Sequence, residues 1–184
     1  MYEIIQEDKE AFLYLNNLGS SSFDQFWIMV SGIAIWIPFY IILFYFLFKT
    51  FGWKNLIYIS IFIALGVTIS DQLAGIFKYG IARLRPCHDP QLENIMREVK
   101  CGGQYGFYSA HASNTFFLAS FLTILLRKNY KYLPWILFVW ASVVAYSRIY
   151  LGVHFPIDVL FGAAVGYLLG GLMAALTWKT IRKS

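Results

Sequence analysis

Residues 147–178 read SRIYLGVHFPIDVLFGAAVGYLLGGLMAALTW, and this stretch joins a polar start to an apolar run. From Ile157 to Trp178 the only charge is Asp158, and the run is long enough to cross a bilayer, which takes about 20 residues of helix. Working outward, comparable apolar segments lie at roughly 25–48, 55–77, 111–127 and 133–150, which makes five expected spans. Residues 8–18 (DKEAFLYLNNL) carry apolar side chains at helical spacing but are too short to cross, so they read as an interfacial amphipathic helix. The string GSSSFD that follows reads as a turn and a helix start. The expected fold class is all-α: a polytopic transmembrane bundle of about five spanning helices plus the N-terminal interfacial helix, one integral-membrane domain over residues 1–184.

Composition points the same way. Of the 184 residues 59% are hydrophobic, 20% aromatic and 14% charged, against about 25% charged in ordinary soluble domains. A chain this short cannot hide so much apolar surface in one water-facing core, which excludes a soluble cytosolic enzyme. The start, MYEIIQEDKE, is acidic and lacks the basic region and cleavage site of a secretory signal, so the first span is expected to direct insertion itself.

The net charge of +5 would suit nucleic acid in a soluble protein, but here the charges are sorted by topology, and no nucleic-acid partner is expected. With the N-terminus outside, the cytoplasmic side holds Lys49, Lys54, Arg127, Lys128, Lys131, Lys179, Arg182 and Lys183 and no acid. All ten acids then fall on or near the outer face, and the C-terminus is cytoplasmic. Six of the remaining basic residues, Lys78, Arg83, Arg85, Arg97, Lys100 and Arg148, gather in or beside two non-cytoplasmic segments.

The one substantial loop, about 79–108, faces outside and holds both cysteines, so Cys87 and Cys101 are positioned to close it with a disulfide; two unpaired thiols are the alternative. Loops of this length in compact proteins are usually functional. Around it stand three pieces: Lys78 with Arg85-Pro86, Tyr108-Ser109-Ala110-His111, and Ser147-Arg148 with His154 and Asp158. Each lies at the outer end of an expected span. Lys78, Arg85 and Arg148 would repel one another unless an anion joined them, and phosphate suits arginine's bidentate fork and lysine's point charge. Arg83 is nearby and suits lipid headgroups equally well. Ser109 falls at a helix N-cap, where its hydroxyl and free N–H groups bind anions or merely cap.

His154 and Asp158 are four apart, and Pro156 fits the first position of the helix that would put both on one face. Asp158 then fixes the tautomer of His154 and leaves its other nitrogen free to attack phosphorus. His111 is the general acid for the leaving oxygen and afterwards the base that activates water. His88 lacks such partners and reads as a loop residue. Metal ligation by His111, His154 and Asp158 is disfavoured by the surrounding cations, so neither metal nor cofactor is expected.

These three pieces resemble the signature of the type-2 phosphatidic acid phosphatase family, which includes membrane lipid phosphatases, glucose-6-phosphatase and the soluble vanadium haloperoxidases. Its motifs are Lys-x6-Arg-Pro, here Lys78, Arg85 and Pro86; Pro-Ser-Gly-His, here Tyr108, Ser109, Ala110 and His111; and Ser-Arg-x5-His-x3-Asp, here Ser147, Arg148, His154 and Asp158. The middle motif departs at Tyr108 and Ala110. The resemblance implies phosphate binding by Lys78, Arg85, Ser109 and Arg148, a nucleophilic His154 supported by Asp158, and leaving-group chemistry at His111. Family members often have six spans, which sets the segment 8–18 in the place of the first.

The expected activity is hydrolysis of a lipid phosphate at the periplasmic or extracellular face of a bacterial inner membrane, through a phosphohistidine. Undecaprenyl diphosphate leads as substrate, because carrier-lipid recycling happens on that face. Lipid A is the runner-up, followed by phosphatidylglycerophosphate and phosphatidic acid. A non-catalytic lipid binder or transporter would need the basic pocket but not the His–Asp pair, and a vanadate-dependent peroxidase would not need the spans.

Overall fold

The computed structural model describes residues 2–182, so Lys183 of the expected cytoplasmic set lies outside the described residues. Six α-helices carry the fold: α1 (Tyr2–Asn17), α2 (Ser21–Ser31), α3 (Ile37–Ile81), α4 (Ala110–Leu126), α5 (Leu133–Tyr150) and α6 (Pro156–Ile181). Among the described residues the sole β feature is an antiparallel bridge between Leu84 and Tyr105. Three helical stretches are long and apolar enough to cross a membrane: Ala34–Ile81, Leu133–Tyr150 and Pro156–Ile181. α4 is apolar but shorter.

The expected span at 25–48 is not one continuous helix. α2 ends at Ser31, Gly32 is extended (φ −82°, ψ 158°), and a 3-10 turn at Ala34–Trp36 leads into α3. Pro38 explains the restart: it brings no N–H to a preceding turn and is tolerated only at a helix start. The broken end is closed by the Trp36 indole, which donates to the Val30 carbonyl at 2.8 Å. α3 itself bends at Gly52, whose φ of +74° is open to glycine at little cost. Its two arms, 37–51 and 53–81, together with α4, α5 and α6 make five apolar helical segments among the described residues.

α4 is the axis of the bundle and packs against α3, α5 and α6. Its Phe117, Phe121, Leu125 and Leu126 are fully buried, and its buried Ser113 shares a 2.7 Å hydrogen bond with Ser70 of α3. α6 approaches it through Gly162, Gly166 and Gly170, a small residue every fourth position. A Cβ on Gly162 or Gly170 would stand 2.5 Å from the Ser109 or Phe117 carbonyl oxygen, and one on Gly166 would be closer still to that of Ser113. The outward faces are apolar too: Ile41, Ile61, Leu168 and Leu172 are exposed, Leu168 to 70%. Such a surface is stable against hydrocarbon and costly against water.

α1 starts earlier than expected, at Tyr2, and is docked on the loop-bearing end of the bundle by buried groups. Phe12 meets Phe155 edge-on at 5.4 Å. The Asn16 amide donates to the carbonyls of Arg97, Ile149 and Tyr150, and its oxygen accepts the Arg97 N–H at 2.7 Å. One side chain thus ties α1 to backbone groups of the loop and of the end of α5. The loop between α3 and α4 is closed by a Cys87–Cys101 disulfide.

Candidate active site

The backbone brings the three sequence pieces together at one end of the bundle. Lys78 is in the last turn of α3, Arg85 in the loop, Ser109 at the N-cap of α4, His111 in its first turn, Arg148 in the last turn of α5, and Asp158 in the first turn of α6. His154 sits in the turn between α5 and α6, where its N–H and that of Val153 both donate to the Arg148 carbonyl, at 3.3 and 3.1 Å. That turn needs Gly152: its φ is +82°, and a Cβ there would lie 2.6 Å from Met96 Cε and 3.1 Å from the Arg97 carbonyl.

The His154 imidazole is 2% exposed and faces opposite charges on its two nitrogens. Nε2 is 3.3 Å from Arg85 Nη1, and Nδ1 is 3.6 Å from Asp158 Oδ2, longer than a hydrogen bond. Burial, then the cations Arg85, Arg148 and Lys78, hold the imidazole well below the ordinary histidine range. Both effects favour the uncharged ring in the ligand-free site. Nε2, the nitrogen on the cation side, carries the free lone pair when Nδ1 holds the proton.

Arg85 is aimed by the loop. Its Nε donates to the Tyr105 carbonyl at 3.2 Å and its Nη1 to that of Val153 at 3.3 Å. Gly102 and Gly106 leave room for it, since a Cβ on either would come within 3.2 Å of an Arg85 side-chain atom. Ser109 is buried and caps α4 by accepting the Ala112 N–H at 3.4 Å, while its own N–H donates to the Asp158 carbonyl at 3.0 Å. Arg148 is also buried; its Nη1 donates to Ser31 Oγ, and its Nε has no partner. Lys78, Arg148 and Arg85 all act electrostatically on His111 as well as on His154, so the two histidines share one basic pocket.

Three contributors were not legible as such. Ser31 reaches Arg148 only because the first expected span breaks there. Arg83, equally suited to lipid headgroups by sequence, instead donates to Asp158 Oδ1 at 2.8 Å and to Asp8 Oδ2 at 2.5 Å. Asp8 is buried against the start of α6, where its other oxygen accepts the Ile157 N–H at 2.9 Å. His88 is a loop residue, as expected, its Nε2 3.0 Å from the Gly102 carbonyl.

His111 lines the mouth of a cavity of about 290 Å³ whose walls include Trp36, Tyr40, Leu118, Trp140 and Val144, with Ser31 beside Arg148. A larger groove, about 540 Å³, lies behind Arg83 between α1 and the loop. His111 and Ser31, the hydrogen-bond partner of Arg148, thus line an apolar cavity beside the basic cluster.

Such a pocket defines a class of protein: membrane enzymes that handle an anionic headgroup beside hydrocarbon. Residues 56–182 match the PAP2 superfamily, and the chain belongs to it. It is similar to the lipid A 4'-phosphatase of Bacteroides thetaiotaomicron, 35% identical over 97% of this chain and 81% of that protein. The lipid A 4'-phosphatase of Porphyromonas gingivalis is likewise 35% identical, over 92% of this chain and 72% of its own length. The crystal structure of a transmembrane PAP2-type phosphatidylglycerolphosphate phosphatase from Bacillus subtilis shares the fold, with a TM-score of 0.74 at 22% identity over 97% of this chain and 88% of that one. The protein is a membrane lipid phosphatase of this family.

Proposed function

We propose that the chain is a single-domain, metal-independent lipid A phosphatase of a bacterial inner membrane, with its site on the periplasmic or extracellular face. The observation that carries the chemistry is the buried His154, with Nε2 on the arginine side and Nδ1 on the aspartate side. Lys78, Arg85, Arg148 and Ser109 hold the phosphoryl oxygens, and the fixed positive charge stabilises the transition state without reorganisation. His154 Nε2 attacks phosphorus, forming the P–N bond as the P–O bond to the lipid breaks. His111 delivers a proton to the leaving oxygen. Nδ1–H closes onto Asp158 as the ring gains charge. Water then attacks the phosphohistidine, His111 takes its proton, the P–N bond breaks, and phosphate leaves.

The apolar cavity beside His111 supports a substrate whose phosphate enters the pocket while an acyl chain stays in lipid. Lipid A replaces undecaprenyl diphosphate as the leading substrate because two relatives that align with more than nine-tenths of this chain at 35% identity bear the name lipid A 4'-phosphatase, whereas the phosphatidylglycerophosphatase B of Bacillus subtilis aligns with 94% of it at 30% identity. Sidedness is supported by charge: Lys49, Lys54, Arg127, Lys128, Lys131, Lys179 and Arg182 fall at helix ends away from the site, and Trp53, Tyr132 and Trp135 lie exposed beside them. The test is phosphate release by the detergent-purified protein, with EDTA present, from lipid A, undecaprenyl diphosphate, phosphatidylglycerophosphate and phosphatidic acid, with His154→Ala as control. Release that requires His154, survives EDTA and is fastest on lipid A is expected. Release from none of them by folded protein would turn the assignment toward binding or transport.

A further inference from the structure

We propose that Asp8, on the N-terminal helix, is a positioning residue for the reaction, acting through Arg83 on Asp158 and so on His154. The inference rests on His154 being the nucleophile. Asp8 is 4% exposed, and both carboxylate oxygens are committed: Oδ2 to Arg83 Nη2 at 2.5 Å, Oδ1 to the Ile157 N–H at 2.9 Å. Arg83 in turn spans the two acids, its Nη1 on Asp158 Oδ1 at 2.8 Å, with its guanidinium carbon 4.2 Å above the Phe155 ring. The chain of contacts Asp8–Arg83–Asp158–His154 has no gap longer than the 3.6 Å between the last two.

Charge explains why the second acid is needed. When Nε2 of His154 takes the phosphoryl group, the ring becomes cationic, and Asp158 must still be an effective anion. Paired with Arg83 alone, Asp158 would face the ring as half of a neutral salt bridge. With Asp8 sharing the guanidinium, the three groups carry a net negative charge toward His154. Asp8 also braces the position of that charge, because it holds the first turn of α6, the turn from which Asp158 projects. The hydrogen bonds of the Arg83 guanidinium go to Asp8 and Asp158 and to none of Lys78, Arg85, Arg148 or His154, so anion binding should not depend on it.

The experiment compares wild type, His154→Ala, Asp8→Asn, Asp8→Glu, Arg83→Lys, Asp158→Asn and the Asp8→Asn/Asp158→Asn double variant for phosphate release from lipid A, with vanadate inhibition and thermal unfolding of each. Asp8→Asn is expected to lower kcat by about tenfold or more, as loss of an outer-shell partner does elsewhere, with KM and the vanadate inhibition constant within about twofold of wild type. Asp8→Glu should recover part of kcat, and Asp8→Asn should add little to the loss in Asp158→Asn. If Asp8→Asn does not fold, Arg83→Lys carries the same expectation. His154-dependent release with a wild-type kcat in the folded Asp8 variant, or full additivity with Asp158→Asn, overturns the relay alone. Release independent of His154, or none from wild type, overturns the assigned function and the relay with it.

Discussion

Arg85 Nη1 stands 3.3 Å from His154 Nε2, so the cation that faces the incoming phosphate also faces the nitrogen that would attack it. In this geometry a phosphoryl oxygen drawn to Arg85 brings phosphorus toward Nε2, and binding and alignment are one event. Arg85→Lys keeps the charge and loses the fork held by Tyr105 and Val153. We expect kcat/KM for lipid phosphate to fall by about a hundredfold, equivalent to about 3 kcal/mol of transition-state stabilisation. Steady-state kinetics check this; a loss under threefold would remove Arg85 from the phosphate site.

The neutrality of His154 sets a pH signature. Its folded-state value is pushed well below 6.5 by burial and the facing cations, whereas the unfolded chain takes up a proton near 6.5. Between those limits the unfolded state binds more protons, so this residue's contribution to stability is lost as pH falls below about 6.5. NMR titration of the ligand-free protein should show the His154 ring taking up its proton well below the ordinary histidine midpoint. A midpoint near 6.5 would contradict the electrostatic account of the site.

His111 lines the apolar cavity and feels the charges of Lys78, Arg85 and Arg148, and its proposed task is proton delivery to the leaving oxygen. An alkoxide needs that proton more than a phosphate leaving group does. His111→Ala should therefore slow a lipid monophosphate by at least about tenfold more than undecaprenyl diphosphate. Equal losses in parallel kcat measurements would assign His111 another role.

The α4–α6 contact depends on the absence of a side chain at Gly166, where a Cβ would enter the Ser113 carbonyl. Gly166→Ala should cost about 1–3 kcal/mol through overpacking and depress activity, because α4 carries Ser109 and His111. Gly171→Ala is the control, since the nearest atom to its Cβ would be Ile124 Cδ1 at 4.0 Å. Thermal unfolding in detergent separates them; equal stability would show that the helices do not pack through this stripe.

Apolar run length made α5 and α6 legible almost to the residue, and the positions of Pro156 and Ser109 fixed how α6 and α4 begin. Local chemistry suffices there. The break at Gly32 was hidden because α2 and the first arm of α3 are both apolar, and hydropathy does not record a change of direction; Pro38 was the available signal. The meeting of the three motifs could be expected because each lies at or beside a helix end that topology brings to one end of the bundle. Asp8 and Arg83 were not, since their partners are 75 and more positions away and depend on where α1 docks. An acid within an amphipathic helix otherwise looks like any solvated charge. The sequence-based substrate order, with undecaprenyl diphosphate first, rested on membrane face alone.

The central claim is that phosphate passes through His154. The direct measurement is to react the His111→Ala protein with a lipid diphosphate, quench in alkali on the millisecond-to-second scale, and locate phosphate by peptide mass spectrometry. The account predicts a phosphoryl group on His154, more abundant than in wild type because water activation is impaired, and none in His154→Ala. Phosphate on another residue, or continued turnover by His154→Ala, would contradict it.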